Sequence, residues 1–471
     1  MRPAAVRPVI FNSSLFVAFF VAVFIAYFHV ASGRGQKLSV LLAANLIFFA
    51  SWNLAFVPLL LATGLADFYL ARAMAAPGAG RGLRTVLVSA SVVMNVGVMV
   101  VFKYLDFLLK VGAFALRFGG RDVQAPSFGW LAPVGLSFYA FQGMSYTIDV
   151  YRGVFAPKCS RLEFLASFTF FPHLLSGPIV RSSFLIPQFS ELKPPDRAAL
   201  ERGLALIMVG LTKKALADLV SPVVDLLFAR SHPAGAVASW TGALGFSAQM
   251  YGDFSGYIDM ATGLALLLGF ELPPNFNLPY LATSPADFWR RWNISLSTWF
   301  RDYLYYPLAL GGLRDWPYLN VFLVMLAAGL WHGAGAKFAA FGAYHGLLLA
   351  GLYWCSSNHV DLIKNRIVKT AVTFYLTVIG QVVFRAESWA GFVAVIRGLH
   401  FLGGAQAASG RELALLLIVI GALLAGHVLD YVFLIKRCLS ERPLFLRLAA
   451  TAACVFAFMV RTIPTFIYLK F

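Results

Sequence analysis

Charged side chains are scarce in this chain of 471 residues. Only 13% are Asp, Glu, Lys or Arg, which is about half of the fraction expected of a soluble globular protein. By contrast, 60% are hydrophobic and the mean hydropathy is +0.75. The scarcity of charge therefore excludes an ordinary water-soluble domain and indicates that lipid surrounds most of the chain.

Cysteine is also rare, and the common loops of nucleotide chemistry are missing. The four cysteines form no CxxC pair and have no histidine at metal-ligand spacing, so we expect neither a metal site nor a disulfide framework. The sequence has no GxGxxG or Walker pattern and no GxSxG elbow. These absences argue against a nucleotide hydrolase and against a serine hydrolase of the elbow type.

Acidic residues are too few to balance the basic ones, and the net charge is +17. A nucleic-acid-binding protein would gather such charge on one soluble face or arm, whereas here the basic residues are scattered between apolar runs. Arg72, Arg81 and Arg84 fit a cytoplasmic loop under the positive-inside rule. We therefore expect a lipid bilayer, and no nucleic acid, as the partner of this chain.

Apolar runs recur from end to end, many near the roughly 20 residues that a helix needs to cross a bilayer. The candidate spans are residues 9–31, 38–57, 86–102, 203–228, 242–270, 317–331, 336–356, 367–384, 412–435 and 445–469. These runs are too long and too uniformly apolar for the alternating strands of a barrel. The sequence predicts an all-α, multi-pass membrane protein with about ten to twelve transmembrane helices. Since no linker or repeat divides it, we expect a single domain over residues 1–471.

Three segments interrupt the helical pattern. Residues 170–189 contain three prolines, which prevent one continuous helix and indicate a re-entrant or interfacial segment. Residues 287–307 place aromatic side chains on one side of a helix together with several charges, a pattern that predicts a helix lying at the membrane interface. Residues 329–338, GLWHGAGAKF, surround a histidine with glycines, which are expected to end one helix before another starts near Ala336.

Ionisable side chains inside these apolar stretches are candidates for function, because a charged one costs about 2.5–3.5 kcal/mol at the bilayer centre. His332 avoids most of this cost as a neutral imidazole, and it fits either a general base or an interhelical hydrogen bond. For His345, packing and function both stay open. Asp253 and Asp259 are six positions apart on a helix, so they cannot easily form a paired-carboxylate site. For Asp253 we favour a scaffold role.

The order of these motifs resembles the membrane-bound O-acyltransferase family. The matching stretches are PVGLSFYAFQGMSYTIDVYRG (133–153), FFPHLLSGPIVR (170–181), YGDFSGYIDMATGLALLLGF (251–270), NFNLPYLATSPADFWRRWNISLSTWFRDYLYYPL (275–308) and GLWHGAGAKFAAFGAYHG (329–346). The resemblance is to the branch with the membrane subunits of alginate O-acetylation and teichoic-acid D-alanylation, and most of all to the alginate type, which acetylates exported polysaccharides. It implies helices in a ring around a central tunnel that joins the two membrane faces.

The resemblance implies an O-acyltransferase of the bacterial cytoplasmic (inner) membrane. Its donor would be an acyl thioester met from the cytoplasm as a substrate, either acetyl-CoA or an acyl carrier, and no permanently bound cofactor is expected. The acyl group, an acetyl group by preference, would pass outward to an SGNH-type acetyltransferase partner and finally to an exported polysaccharide. Two alternatives stay open, namely D-alanyl transfer to teichoic acid and a non-enzymatic transporter of polysaccharide or acyl groups.

The family's invariant histidine falls at His332, which the resemblance therefore implies as the general base. Members of the alginate and D-alanyl branch usually carry histidine after FWRRW, where this chain has Asn293. Relatives that acylate lipids or proteins often carry asparagine there, so we expect Asn293 to orient the acceptor or to donate to the oxyanion. The residues expected to support the site are His345, Asp253, Trp292 and Asp302. The residues expected to bind the donor are Arg290, Arg291, Arg301 and Trp299, and anchoring to anionic lipid is the alternative for the arginines.

Overall fold

The computed structural model describes most of the chain outside its two ends and a few short internal stretches. The described residues are 9–121, 123–129, 132–229, 235–400 and 409–436, with backbone only at 432–436. Regular secondary structure in this part of the chain is helical, and its extended pairing is an isolated antiparallel bridge between Phe276 and Trp292. The prediction of an all-helical protein is confirmed. The predicted span 445–469 lies outside the described residues.

The chain divides into two compact units. One comprises the residues up to Leu200 together with Leu264–Pro273, and the other comprises Glu201–Gly263 together with the residues from Pro274. The expectation of a single domain over the whole chain stays a prediction.

The helices before Leu200 belong to the first unit. They are α1 (Ser14–Ile25), α2 (Arg34–Asn53), α3 (Val57–Met74), α4 (Arg81–Met99), α5 (Leu105–Phe118), α6 (Leu136–Arg152), α7 (Arg161–Phe168), α8 (Phe171–Leu174) and α9 (Ser182–Glu191). The proline-rich segment 170–189 contains the short helix α8 and most of α9, with irregular chain between them. The prediction that no continuous helix forms there is confirmed.

The helices from Arg197 onward supply the second unit. They are α10 (Arg197–Ala229), α11 (Gly235–Leu267), α12 (Pro285–Arg291), α13 (Ile294–Phe300), α14 (Tyr306–Leu310), α15 (Pro317–His332), α16 (Ala336–Ser357), α17 (Arg366–Arg385), α18 (Trp389–Leu399) and α19 (Gly410–Lys436). A π-helical turn, Arg301–Tyr305, joins α13 to α14. The predicted helix end at His332 and the predicted start at Ala336 are confirmed.

The single interfacial helix predicted over residues 287–307 is wrong. α12 ends at Arg291 and α13 begins at Ile294, because Trp292 is extended (φ −107°, ψ 126°) and Asn293 has a left-handed backbone (φ 45°, ψ 55°). Trp292 also pairs with Phe276 in the isolated bridge. Helical periodicity cannot reveal such a break, because its cause is a pairing with a segment outside the helix.

Five stretches of the described chain are long and apolar enough to cross a membrane. They are Arg34–Met74, Arg81–Phe118, Ala336–Ser357, Arg366–Arg385 and Gly410–Tyr431. The first of them includes α3, which the predicted spans omit. The protein is therefore a multi-pass membrane protein, whereas the total of about ten to twelve transmembrane helices and their closure into a ring stay predictions.

Helices α10 and α11 approach closely through glycines. A Cβ atom at Gly210 would lie 2.5 Å from the carbonyl oxygen of Gly256, and one at Gly256 would lie 2.7 Å from that of Gly210. A Cβ atom at Gly252 would lie 2.8 Å from the carbonyl oxygen of Lys213. Small residues let two helices of a membrane protein pack closely in this way. These glycines bring Lys213 within reach of the side chains of α11.

Gly256→Ala is expected to destabilise the protein, because the added methyl group has no room against the backbone of α10. Overpacking of this kind costs about 1–3 kcal/mol, and we expect a lower thermal midpoint of unfolding in detergent, followed by intrinsic fluorescence. Gly351→Ala is the matched control, because Gly351 is an exposed helical glycine with no atom within 4 Å of its Cβ position. Its midpoint should stay unchanged or rise slightly. Equal midpoints for the two variants would contradict the close approach of α10 and α11.

Candidate active site

His332 is the last residue of α15 and lies among aromatic rings. Its side chain is buried. The ring centroids of Trp331, Phe384 and Phe341 lie 5.1, 5.3 and 5.9 Å from that of the imidazole, all in edge-on orientations. The histidine therefore sits at a helix end in a setting formed largely by aromatic side chains.

The glycines around His332 are required by packing. A Cβ atom at Gly333 would lie 2.2 Å from a ring carbon of Phe338, and one at Gly329 would lie 2.4 Å from the carbonyl oxygen of Phe338. On the facing helix, a Cβ atom at Gly342 would lie 2.6 Å from the carbonyl oxygen of Met325. Because α15 and α16 meet backbone to backbone, their packing fixes the position of the loop that follows His332.

His345 lies on α16 and is buried, with 3% of its surface exposed. Both histidines contact the ring of Phe341, whose centroid is 4.7 Å from that of His345 and 5.9 Å from that of His332. The Nε2 atom of His345 lies against α17, where a Cβ atom at Gly380 would be 2.4 Å away. The two histidines singled out in the sequence are thus joined through one shared ring.

Trp289, on α12, connects the histidines with the FWRRWN segment. Its ring centroid lies 5.1 Å from that of His345 and 6.3 Å from that of Phe341. Toward its own helix, Trp289 contacts Phe288 at 5.4 Å, and Phe288 stacks on Trp292 at 5.6 Å. The sequence prediction does not include Trp289, although helical spacing places this residue at the edge of the aromatic side expected over the segment. These ring contacts bring the two motifs into one site.

Asn293 forms the corner between α12 and α13. Its left-handed backbone is uncommon for residues other than glycine, and asparagine and histidine are among those that adopt it most readily. Two backbone hydrogen bonds hold the corner against a preceding segment. The N–H of Ile294 donates to the carbonyl oxygen of Asn275 at 3.0 Å, and the N–H of Asn277 donates to that of Arg291 at 2.9 Å. The pairing with residues 275–277 therefore fixes where Asn293 stands.

The side chain of Asn293 has one satisfied end and one unsatisfied end. Its Oδ1 atom accepts a hydrogen bond from Nδ2 of Asn275 at 3.2 Å. Its own Nδ2 atom is buried and has no hydrogen-bond partner among the described residues. Leaving a buried donor unpaired costs about 1–3 kcal/mol. A hydrogen bond from this N–H to an acceptor atom of a ligand would therefore lower the free energy more than a bond from a donor that already has a partner.

Trp292 packs beneath this corner. It is buried, and its ring centroid lies 5.1 Å from that of Phe276, 5.6 Å from that of Phe288 and 6.1 Å from that of Tyr280. The hydroxyl of Tyr280 accepts a hydrogen bond from Nε2 of Gln381 at 2.9 Å. Trp292 therefore supports the corner by packing, and Tyr280 ties that packing to α17.

Arg290 and Arg291 share one carboxylate. Nε of Arg291 donates to Oδ1 of Asp287 at 3.0 Å, and Nη2 of Arg290 lies 3.5 Å from the same oxygen. Burial alone would raise the pKa of Asp287, but the hydrogen bonds from Arg291 and from the backbone of Thr283 hold it below its usual value. Asp287 is therefore ionised at neutral pH. Arg290, whose side chain is 72% exposed against 28% for Arg291, is the better placed of the two to meet an anion.

Arg301, Asp302 and Trp299 lie at the start of the π-helical turn and just before it. Nε of Arg301 donates to Oδ1 of Asp302 at 2.7 Å, and both side chains are partly exposed. Trp299 is buried, and its ring contacts that of Tyr303 at 5.2 Å. In this arrangement Asp302 is the counterion of Arg301, and Trp299 is part of the packed interior.

Asp253 belongs to a buried ion-pair network that the sequence prediction missed. Nζ of Lys214 lies 2.8 Å from Oδ1 of Asp253 and 2.5 Å from Oδ1 of Asp218. Both the lysine and Asp253 are almost completely buried. These contacts favour the scaffold role for Asp253, in which it ties α11 to α10.

The neighbouring Lys213 makes a second set of pairs. Its Nζ atom lies 2.6 Å from Oδ2 of Asp259 and also pairs with Asp430, which accepts a hydrogen bond from the hydroxyl of Tyr251. Lys213 has 1% of its surface exposed. The network therefore joins α10, α11 and α19. The signal for it was two adjacent lysines inside a predicted span, because a lysine in lipid needs an acidic partner.

Known proteins align with most of this chain. Residues 128–379, which include His332, His345 and Asn293, match the model of the membrane-bound O-acyltransferase family. The probable alginate O-acetylase AlgI of Pseudomonas aeruginosa is 38% identical, over 80% of this chain and 72% of the relative. The peptidoglycan O-acetyltransferase of Helicobacter pylori is 31% identical, over 84% and 80%. The teichoic acid D-alanyltransferase of Bacillus subtilis is 26% identical, over 60% and 75%.

Lys213→Met is expected to destabilise the protein strongly, because it removes the cation from Asp430, which is buried, and from Asp259, which is partly buried. Breaking a buried ion pair in this way costs about 3–5 kcal/mol, and we expect less folded protein in size-exclusion chromatography and a lower thermal midpoint. Adding Asp259→Asn and Asp430→Asn should recover much of the loss. The control is Lys369→Met, which removes an exposed ion pair with Asp361 (3.1 Å) worth about 0–1 kcal/mol. If Lys213→Met were as stable as this control, the network would not be holding the helices together.

Proposed function

Because the chain belongs to the membrane-bound O-acyltransferase family, we propose that it transfers an acetyl group from a thioester toward hydroxyl groups of an exported polysaccharide. The observation that carries the proposal is the extended similarity to a probable alginate O-acetylase and to a peptidoglycan O-acetyltransferase. Both relatives are named for the O-acetylation of a glycan polymer. The similarity spans the region that contains His332 and Asn293.

The proposed setting is the bacterial cytoplasmic (inner) membrane. An acetyl thioester, acetyl-CoA or an acyl carrier, would supply the acetyl group from the cytoplasm. A secreted acetyltransferase of the SGNH type would complete the transfer to the polysaccharide outside. The charged phosphates of the donor cannot enter lipid at an acceptable free-energy cost. In the proposal the donor therefore stays on the cytoplasmic side, and only its acetyl group moves outward, through a passage in the protein. Arg290, with Arg291 and Arg301 nearby in sequence, is the proposed contact for those phosphates, since guanidinium groups match phosphate geometry.

In the proposed reaction His332 is the general base. The acceptor oxygen attacks the thioester carbonyl carbon while the imidazole takes the hydroxyl proton, and the carbonyl electron pair moves onto oxygen to give a tetrahedral oxyanion. Collapse breaks the carbon–sulfur bond, and the thiolate takes the proton from the imidazolium. The products are an ester and a thiol, and His332 is neutral again. Proton transfer by a positioned group contributes about 10²–10⁴ in rate.

Asn293 is the proposed donor to the oxyanion. Its amide cannot act as a base, but its buried Nδ2 atom lacks a partner among the described residues. A preorganised donor of this kind is worth about 2.7–4 kcal/mol in the transition state. Trp289 and Phe341, through their ring contacts, connect the Asn293 corner with the two histidines.

D-alanyl transfer to teichoic acid is the second candidate within the same family. The similarity to a teichoic acid D-alanyltransferase is lower and covers less of the chain, which favours acetyl transfer. Mass spectrometry of the exported polymer from strains with and without the gene separates the two, because the lost ester carries either acetate or alanine. A non-enzymatic transporter would leave acylation intact when His332 is replaced, and membership of an acyltransferase family argues against it.

His332→Ala is expected to lower the acetyl content of the exported polymer at least about 100-fold, because the acceptor hydroxyl loses its base. Ester-linked acetate per mass of polymer is the measurement, with the amount of protein in the membrane fraction checked by immunoblot. His359→Asn serves as the control, since His359 is exposed and asparagine adopts its positive φ. Normal acetylation by a normal amount of His332→Ala protein would remove His332 from catalysis.

Asn293→His is expected to retain measurable activity. Histidine tolerates the left-handed backbone, and a neutral imidazole can accept a hydrogen bond at one nitrogen while the other carries an N–H. The initial rate of acetyl transfer in isolated membranes is the measurement. An inactive variant that folds normally would mean that the site depends on the shape of the amide and not only on its N–H.

A further inference from the structure

We propose that Asn275 is a positioning residue that sets the polarity of the Asn293 side chain, so that Asn293 presents N–H groups and not its oxygen to the reacting atoms. The inference rests on the proposed function, because it concerns the same site. It adds a residue that neither the sequence prediction nor the comparisons assign.

One backbone donor fixes the orientation of both amides. The N–H of Ser295 can only donate, and it donates to Oδ1 of Asn275 at 2.8 Å. The Nδ2 atom of Asn275 must then be the group that faces Asn293, where it meets Oδ1 at 3.2 Å. Since the oxygen of Asn293 is engaged there, its Nδ2 atom points away from Asn275. The assignment of oxygen and nitrogen in both side chains thus follows from the network.

The arrangement is held firmly. Asn275 and Asn293 have 1% and 2% of their surfaces exposed, so water does not compete for these hydrogen bonds. The backbone carbonyl of Asn275 also accepts from the N–H of Ile294 at 3.0 Å. Asn275 therefore contacts three successive residues of the corner through its side chain and backbone, and a rotation of its amide would break two hydrogen bonds at once.

This orientation of the Asn293 amide decides which kind of substrate atom it can bind. An outward amide nitrogen offers only donors, so it fits an oxygen on which negative charge develops, such as the carbonyl oxygen of a thioester under attack. An outward oxygen would repel that atom. Histidine at position 293 meets the same requirement for an outward donor, because a neutral imidazole that accepts from Asn275 at one nitrogen carries its proton on the other. It excludes aspartate, which has no donor when ionised.

Asn275→Asp tests the proposal with almost no change of shape. One carboxylate oxygen still accepts from Ser295, but the other cannot donate, so the amide of Asn293 must turn to donate to it and its oxygen then faces the reacting atoms. We expect kcat to fall about 10²–10³-fold, with KM for the donor changed less than several-fold, because the lost interaction forms in the transition state. Initial rates with radiolabelled acetyl-CoA, in membranes that contain the wild-type partner proteins, are normalised to folded protein from size-exclusion chromatography.

Two further variants separate orientation from charge. Asn275→Ser adds no charge and is too short to reach Asn293, so it frees the amide without reversing it, and kcat should fall about 10-fold as unproductive orientations are populated. Gln124→Glu adds the same charge on an exposed side chain between α5 and α6 and should match the wild type. If Asn275→Asp does not fold, Asn275→Ser alone tests the proposal. A wild-type kcat in Asn275→Ser would then overturn it.

Asn293→Asp distinguishes failure of the inference about Asn275 from failure of the proposed function. If it is inactive while Asn275→Asp and Asn275→Ser keep wild-type kcat, Asn275 does not set the amide and the inference falls. If Asn293→Asp and His332→Ala both keep full activity, the proposed function itself fails. Loss of kcat in Asn275→Asp and Asn293→Asp, with Gln124→Glu unchanged, supports the assignment.

Discussion

Polar groups buried away from water must find their partners within the protein, and this constraint shapes both units of the chain. In the first unit, Asn45 is completely buried, with its Nδ2 atom donating to the carbonyl oxygen of Ala166 and its Oδ1 atom accepting from the N–H of Phe171. In the second unit, Lys213 meets its carboxylates on α11 and α19. Because each partner is a directional group on another element, satisfying it also fixes how elements meet within a unit. Paired polar groups thus help to fix which helices meet within each unit.

At the candidate site, aromatic rings pack between His332 and Asn293. His332 ends one helix and Asn293 precedes another, so both stand at the end of a helix and not in its middle. The rings of Phe341 and Trp289 fill the space that connects them. A ring packs closely without demanding many hydrogen bonds, and Trp adds a single donor. In the proposed reaction this arrangement leaves the few polar atoms of the candidate site for the substrate.

The sequence predicted those features that depend only on residues close together in the chain. The glycines after His332 foretold a helix end and a restart at Ala336, because glycine at a close approach is a property of the segment itself. The break at Asn293 was missed, since it depends on pairing with residues 275–277. The Lys213–Asp430 pair was missed for the same reason, as it joins residues 217 positions apart. Asn275 stood inside a motif that resembled the family, yet its side-chain role is visible only once the orientation of its amide is known.

Asn293 departs from two local rules at once. Among the described residues with positive φ other than glycine, which are Leu192, Leu278, Asn293 and His359, Asn293 alone also has a buried side-chain atom without a hydrogen-bond partner. Each departure costs stability, and the hydrogen bonds of Asn275 and the packing of Trp292 hold the corner in place. Departures that coincide at one buried residue are typical of positions where function outweighs stability. The coincidence therefore supports, independently of family resemblance, the proposal that the Nδ2 atom of Asn293 donates to an acceptor atom of the substrate.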